Sequence, residues 1–235
     1  MNGQVSTEEA VRRVDRIVPM LGLDIRRALV SRAYLQASNG QVRTDLAGVE
    51  TQAADGHAQT QNAHRIMLAI ELARVLDVGN RPIEKQDKAS LPVLAHYFDR
   101  ADVRNELVGR TGHQERKALI IASLDSFLKR WRRATEESAA EENEGSAILK
   151  LRSFRDYEIA HSIFDKQPKY PKYVDLFRLC SMAAGLAHRA EIATSGDETD
   201  FPLNARVYRQ QAETYWGAFA VGVRVIDQEV QRLRS

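Results

Sequence analysis

Arg155, Asp156 and His161 fall within the stretch LRSFRDYEIAHS, residues 151–162, and together carry what phosphate chemistry needs. A guanidinium permanently holds the positive charge and paired donors that grip a phosphoryl group. An imidazole, with a reference pKa of about 6.5, gives or takes a proton at neutral pH. Asp156, beside the arginine, can orient either group by hydrogen bonding. On an RNA backbone the set needs no metal: His161 serves as base or acid on the ribose 2′-hydroxyl or the leaving oxygen, and Arg155 stabilises the charge that builds on the phosphate.

Helix geometry restricts this chemistry. Six steps of about 100° leave Arg155 and His161 roughly 120° apart around one straight helix and about 9 Å apart along it. They form a compact site only if the helix ends or bends before His161, or if two copies of the segment face each other so that each chain's pair lines a shared cleft. The ordinary alternative is a surface ion pair from Arg155 to Glu158 at i+3, with His161 packed beside Ala160 and Phe164. By spacing alone that ordinary helix is the simpler account, because so arginine-rich a chain produces such pairs by chance.

Other chemistries find less in the sequence. There is no glycine-rich phosphate loop, dinucleotide fingerprint, HExxH zinc motif or calcium loop. His57, His64, His96, His113 and His188 have no second histidine at the one-turn spacing that puts two ligands on one helical face. Glu158 and His161 do form the Glu-x-x-His pair of carboxylate-bridged metal bundles, but no other glutamate is followed three residues later by a histidine. The expectation is therefore no metal and no cofactor. The single cysteine, Cys180, excludes an internal disulfide and reads as a small buried hydrophobe in LFRLCSMAAGLA.

The elements that must position these residues read as helical nearly throughout. Between 7 and 37, Val11, Val14, Ile17, Val18, Leu21, Ile25, Leu29 and Val30 recur at helical spacing, and Pro19 and Gly22 predict two short helices rather than one. Residues 38–57 are polar and glycine-bearing, with at most a short helical turn at DLAGVE. A second helix is expected at about 59–78, stopping at Gly79, and others at about 90–108, 114–140, 145–165, 171–195 and 204–233. Nothing alternates with period two for long enough to make a sheet. The fold expected is a single all-α domain over 1–235, an irregular bundle of about seven helices, with the motif helix at about 145–165. In the linker DKQPKYPKY, Pro168 and Pro171 separate that helix from the next and favour an antiparallel pair.

The linker also sets Lys166, Lys169 and Lys172 among Tyr170 and Tyr173, so ammonium groups can meet phosphates while rings stack on bases. The plain reading of the same residues is a solvated connection. Arg130, Arg132 and Arg133 around Trp131 read mainly as long side chains covering a core tryptophan. Formal net charge is only +2, from 34 basic and 32 acidic residues, so global charge does not by itself announce a nucleic-acid binder. Hydrophobic residues make up 43%, enough for a core, yet no apolar run of about 18 residues and no secretion signal is present. The chain thus reads as soluble and cytoplasmic, with no membrane partner.

Residues 148–164, ILKLRSFRDYEIAHSIF, resemble the signature helix of the HEPN superfamily, in which an arginine, a polar residue and four further residues precede a histidine, often as Ala-His. Here these are Arg155, Asp156, the four residues Tyr157 to Ala160, and His161. Within the superfamily the stretch most resembles the abortive-infection AbiU-like proteins, whose helix reads much like lRdkxiAH. The resemblance implies an HEPN-like all-α fold and a metal-independent endoribonuclease that acts as a homodimer, with the arginine and histidine of both chains in a common cleft. It implies His161 for proton transfer, Arg155 for phosphate binding and Asp156 for orientation, with Arg152 and Tyr157 as supporting contacts to RNA. The setting it implies is phage defence or a toxin–antitoxin pair, with an antitoxin protein as a further partner. Other members of the superfamily are binding or assembly modules, so the alternative is a non-catalytic helical module for a nucleotide, RNA or protein. The region after 174 lies outside the resemblance.

Overall fold

Residues 7 to 44 form one continuous helix, α1 (Thr7–Thr44), where Pro19 and Gly22 predict a break. Its start is set locally: the Ser6 hydroxyl accepts the backbone N–H of Glu9 at 3.2 Å, and Glu8 and Glu9 lie at the positive end of the helix dipole. Pro19 is exposed, so the carbonyl that loses its partner lies on the solvent side, while Val14, Ile17, Val18, Leu21 and Ile25 are all buried. An interior proline costs about 3 kcal/mol. Burying each of those side chains contributes about 1.5–3 kcal/mol, so the apolar face wins. Gly22 stays helical for a packing reason: a Cβ there would sit 2.8 Å from Glu191 Oε1, so the glycine lets that side chain lie against the backbone.

The computed structural model describes residues 5–44, 53–77, 82–86, 88–140, 147–155, 171–195 and 199–234. Among the described residues there is no strand, and the all-α expectation holds. After α1 come α2 (Ala53–Val75), a 3-10 turn (Ile83–Lys85), α3 (Leu91–Asp99), α4 (Ala101–Gly109), α5 (Gln114–Ala140), α6 (Ala147–Arg155), α7 (Tyr173–Thr194) and α8 (Phe201–Arg234). α2 begins well before the expected residue 59, and DLAGVE lies outside the described residues. The expected helix at 90–108 is two helices. Arg100 between them has extended backbone (φ −77°, ψ 124°), and its guanidinium donates to Asp102 at 2.6 and 3.1 Å and to the Val5 carbonyl at 2.9 Å. Thr7 Oγ1 donates to the same carboxylate at 2.5 Å. The Arg100 bond first, and the Thr7 bond after it, hold Asp102 well below the usual carboxylate range.

The fold groups into two compact units, Met1–Arg26 with Ala69–Phe201 and Arg27–Leu68 with Pro202–Ser235. α1 and α2 each contribute to both. The first unit has its core between α3, α5, α6 and α7: Phe98 meets Phe127 edge-on at 5.1 Å, and Leu151 and Phe154 are each 1% exposed. α7 packs most extensively on α5, where Ala183, Ala187 and Ala190 keep it slim. Cys180 is buried on α7 as expected. Trp131 is only half-buried, a correction to its reading as core. The tryptophan that is core belongs to the second unit.

That second unit is organised around Trp216, which packs with Ala33, Ala37 and Ala212 under Tyr34, Tyr208 and Phe219. The indole N–H donates to the Tyr34 carbonyl at 3.1 Å. His57 stands edge-on to Trp216 at 4.8 Å and shares a 2.8 Å hydrogen bond with Ser38, which also accepts from Gln61. His64 stacks on Tyr34. Burial lowers the pKa of both histidines. The unfolded chain takes up these protons near pH 6.5 and the folded chain only at lower pH, so stability present above about pH 6.5 is lost as the pH falls below it. Urea unfolding should therefore show a lower midpoint at pH 5.5 than at pH 7.5. His57→Gln and His64→Gln should each flatten that difference, and an unchanged pH dependence in both would contradict the account.

Candidate functional site

α6 ends at the residues singled out for phosphate chemistry. Ala147, Leu151 and Phe154 recur at steps of four and three, are buried, and anchor the helix on α5 and α7. That anchoring leaves Arg152 and Arg155, one turn apart, half-buried in the last turn, where cations complement the negative end of the helix. Arg155 Nη1 donates to Asp77 Oδ1 at 2.8 Å. Asp77 lies two residues beyond the end of α2, and its other oxygen accepts from Lys88, in the segment leading into α3. One carboxylate thus joins three parts of the first unit.

The electrostatics of this cluster are unequal. Asp77 is 17% exposed; burial pushes its carboxyl up, but the hydrogen bonds and charges of Lys88 and Arg155 together outweigh burial and hold it below its ordinary value. It is therefore ionised at neutral pH. Arg152 differs from Arg155: its Nε is buried and has no hydrogen-bond partner among the described residues. A buried guanidinium donor without an acceptor is costly, and an anion supplies what it lacks. Along the same helix, Lys150 lies 3.9 Å from Asp175, whose carboxylate accepts the Lys172 backbone N–H at 3.2 Å and so caps the start of α7.

Of the residues the sequence singles out, the structure places Arg152 and Arg155 on one turn of α6 and Lys172 at the start of α7. Asp156, Tyr157, His161, Lys166, Lys169 and Tyr170 lie outside the described residues. Arg155 has Asp77 as a described partner, and Glu158, which helix spacing suggests, lies outside the described residues. Asp77 and Lys88 were not legible as members of this cluster, since no local spacing links position 77 to position 155. Among the described residues no three His, Cys, Asp or Glu side chains gather as a metal site.

The Asp77–Arg155 contact is testable without reference to activity. Asp77→Asn and Arg155→Ala should each destabilise the chain by about 1–3 kcal/mol in urea unfolding. The double variant should lose less than the sum of the singles, with a coupling of about 1 kcal/mol. Simple additivity would mean that the pair does not interact in solution. Compared with known protein families, curated proteins and solved structures, the chain has no significant match.

Proposed function

We propose that this chain is an HEPN-like, metal-independent endoribonuclease that acts as a homodimer in the cytoplasm, in phage defence by abortive infection or in a toxin–antitoxin pair. The observation that carries the reading is the end of α6, where a guanidinium fixed by Asp77 and a second one with an unpaired buried donor stand one turn apart, directly ahead of Asp156 and His161. Two guanidiniums at one helix end suit an RNA phosphate. Asp77 restricts Arg155 to one geometry, which lowers the entropy lost when a phosphate is bound.

In the reaction, His161 of one chain removes the proton of the ribose 2′-hydroxyl and the oxygen attacks the adjacent phosphorus. The bond to the 5′-oxygen breaks, and His161 of the other chain protonates that leaving oxygen. A 2′,3′-cyclic phosphate and a free 5′-hydroxyl result. Arg155 stabilises the charge on the non-bridging oxygens, Asp156 orients the imidazole, and Arg152, Tyr157, Lys166, Lys169, Tyr170 and Lys172 hold the flanking RNA.

The second reading, a helical module that binds a nucleotide, RNA or a protein without chemistry, is favoured by the same Asp77, because it commits part of the charge of Arg155 to the fold. An antitoxin protein is the further partner of the catalytic reading. Purified chain incubated with RNA in EDTA should yield cyclic-phosphate or 3′-phosphate ends. His161→Ala and Arg155→Ala should each slow cleavage at least about 100-fold. Wild-type chain that binds RNA but leaves it intact would establish the module instead, and equal cleavage by all three proteins would mean that the activity resides elsewhere.

A further inference from the structure

A cleft of about 400 Å³ lies within the first unit, beside α1, and its lining includes four charged side chains, Asp15, Arg26, Arg110 and Glu191. That volume falls within the range of small-molecule sites, about 300–1,000 Å³. Two of the four charges are spent on each other: Arg110 donates to both oxygens of Asp15, at 2.8 and 2.7 Å. The other two are not. Glu191, near the end of α7, is 8% exposed, and its carboxylate accepts the backbone N–H of Thr199 at 3.2 Å on Oε2. Among the described residues, its Oε1 has no donor, and Arg26, half-buried on α1, has neither a hydrogen bond nor an ion pair. Gly22 lets the two come near. A Cβ built there would stand 2.8 Å from Glu191 Oε1 and 3.8 Å from Arg26 Nη1, so both groups reach the same bare patch of backbone without bonding to each other.

We propose that this cleft binds a free α-amino acid, held as a zwitterion with its carboxylate on Arg26 and its ammonium on Glu191 Oε1. Charge selects that class. The lining carries two cationic and two anionic side chains, so a simple anion brings its charge against Glu191 and a simple cation brings its charge against Arg26. A zwitterion gives each an opposite partner. A carboxylate as buried as Glu191 with a single hydrogen bond is costly, and a charge-assisted bond from an ammonium offsets that cost. On the other side, a guanidinium presents paired donors that match the two oxygens of a ligand carboxylate. In an α-amino acid both groups hang from one carbon, which suits two side chains that meet over one glycine. Thr199 holds Oε2 and so leaves Oε1 as the acceptor for the ligand. Val18 and Pro19 add apolar lining for the carbon skeleton.

The site uses none of the residues of the ribonuclease reading and does not depend on it. Screened against the standard L-amino acids, the full-length chain should melt at a higher temperature with at least one of them, and titration calorimetry with that amino acid should saturate at one per chain. Its N-acetyl and carboxamide derivatives each lack one of the two charges and should bind at least about ten-fold more weakly. Arg26→Gln and Glu191→Gln should each weaken binding to a similar degree while leaving the helical circular dichroism unchanged. Gly22→Ala, which sets a methyl group against Oε1, should weaken it as well. No melting shift with any amino acid would overturn the proposal and leave Arg26 and Glu191 as a solvent-bridged pair. Equal binding of either derivative, or undiminished binding by both the Arg26 and the Glu191 variants, would overturn it too.

Discussion

Pro19 deprives α1 of one backbone hydrogen bond, and the buried stripe from Val14 to Ile25 keeps the helix continuous through that gap. Much of the first unit is tied to the N-terminal part of this helix. Arg13 reaches from it to the Glu84 carbonyl at 2.9 Å and to the Tyr97 hydroxyl at 3.0 Å, which fixes the 3-10 turn and α3. Thr7 and the Val5 carbonyl anchor the break between α3 and α4 through Asp102 and Arg100. A break at Pro19 would separate these contacts, on one side of it, from the approach of Glu191 to Gly22 on the other. The proline is tolerated because apolar burial on one face outweighs a defect on the other.

The same competition between local and non-local terms shapes the end of α6. Its basic last turn satisfies the helix dipole, a local preference. Where each guanidinium goes is decided at long range: Arg155 meets a carboxylate supplied beyond α2, and the Nε of Arg152 is buried without a hydrogen-bond partner among the described residues. Asp77 also draws in Lys88, so two cations sit around a single anion. Such an arrangement gathers two cations on one carboxylate that local helix spacing does not announce.

The sequence foretold much of the helical content because amphipathic periodicity is a local signal: the expected 114–140 helix and α5 coincide. Breaks were harder to foresee. Pro19 and Gly22 promised one that burial suppresses, and Arg100 makes one that no proline or glycine announces, because its cause is a hydrogen-bond network to Val5 and Asp102. For the site, Arg152 and Arg155 were legible from type and position, and Asp77 was not, since its contact spans 78 positions. The buried core around Trp216 was likewise invisible to composition, which offered Trp131 with equal claim.

Cys180 sits at 0% exposure on α7, the helix that packs most extensively on α5. Its sulfur is therefore a clock for that core. A thiol reagent modifies it only during those moments when α7 loosens, so the modification rate counts openings of the first unit that are too rare to alter the average spectrum.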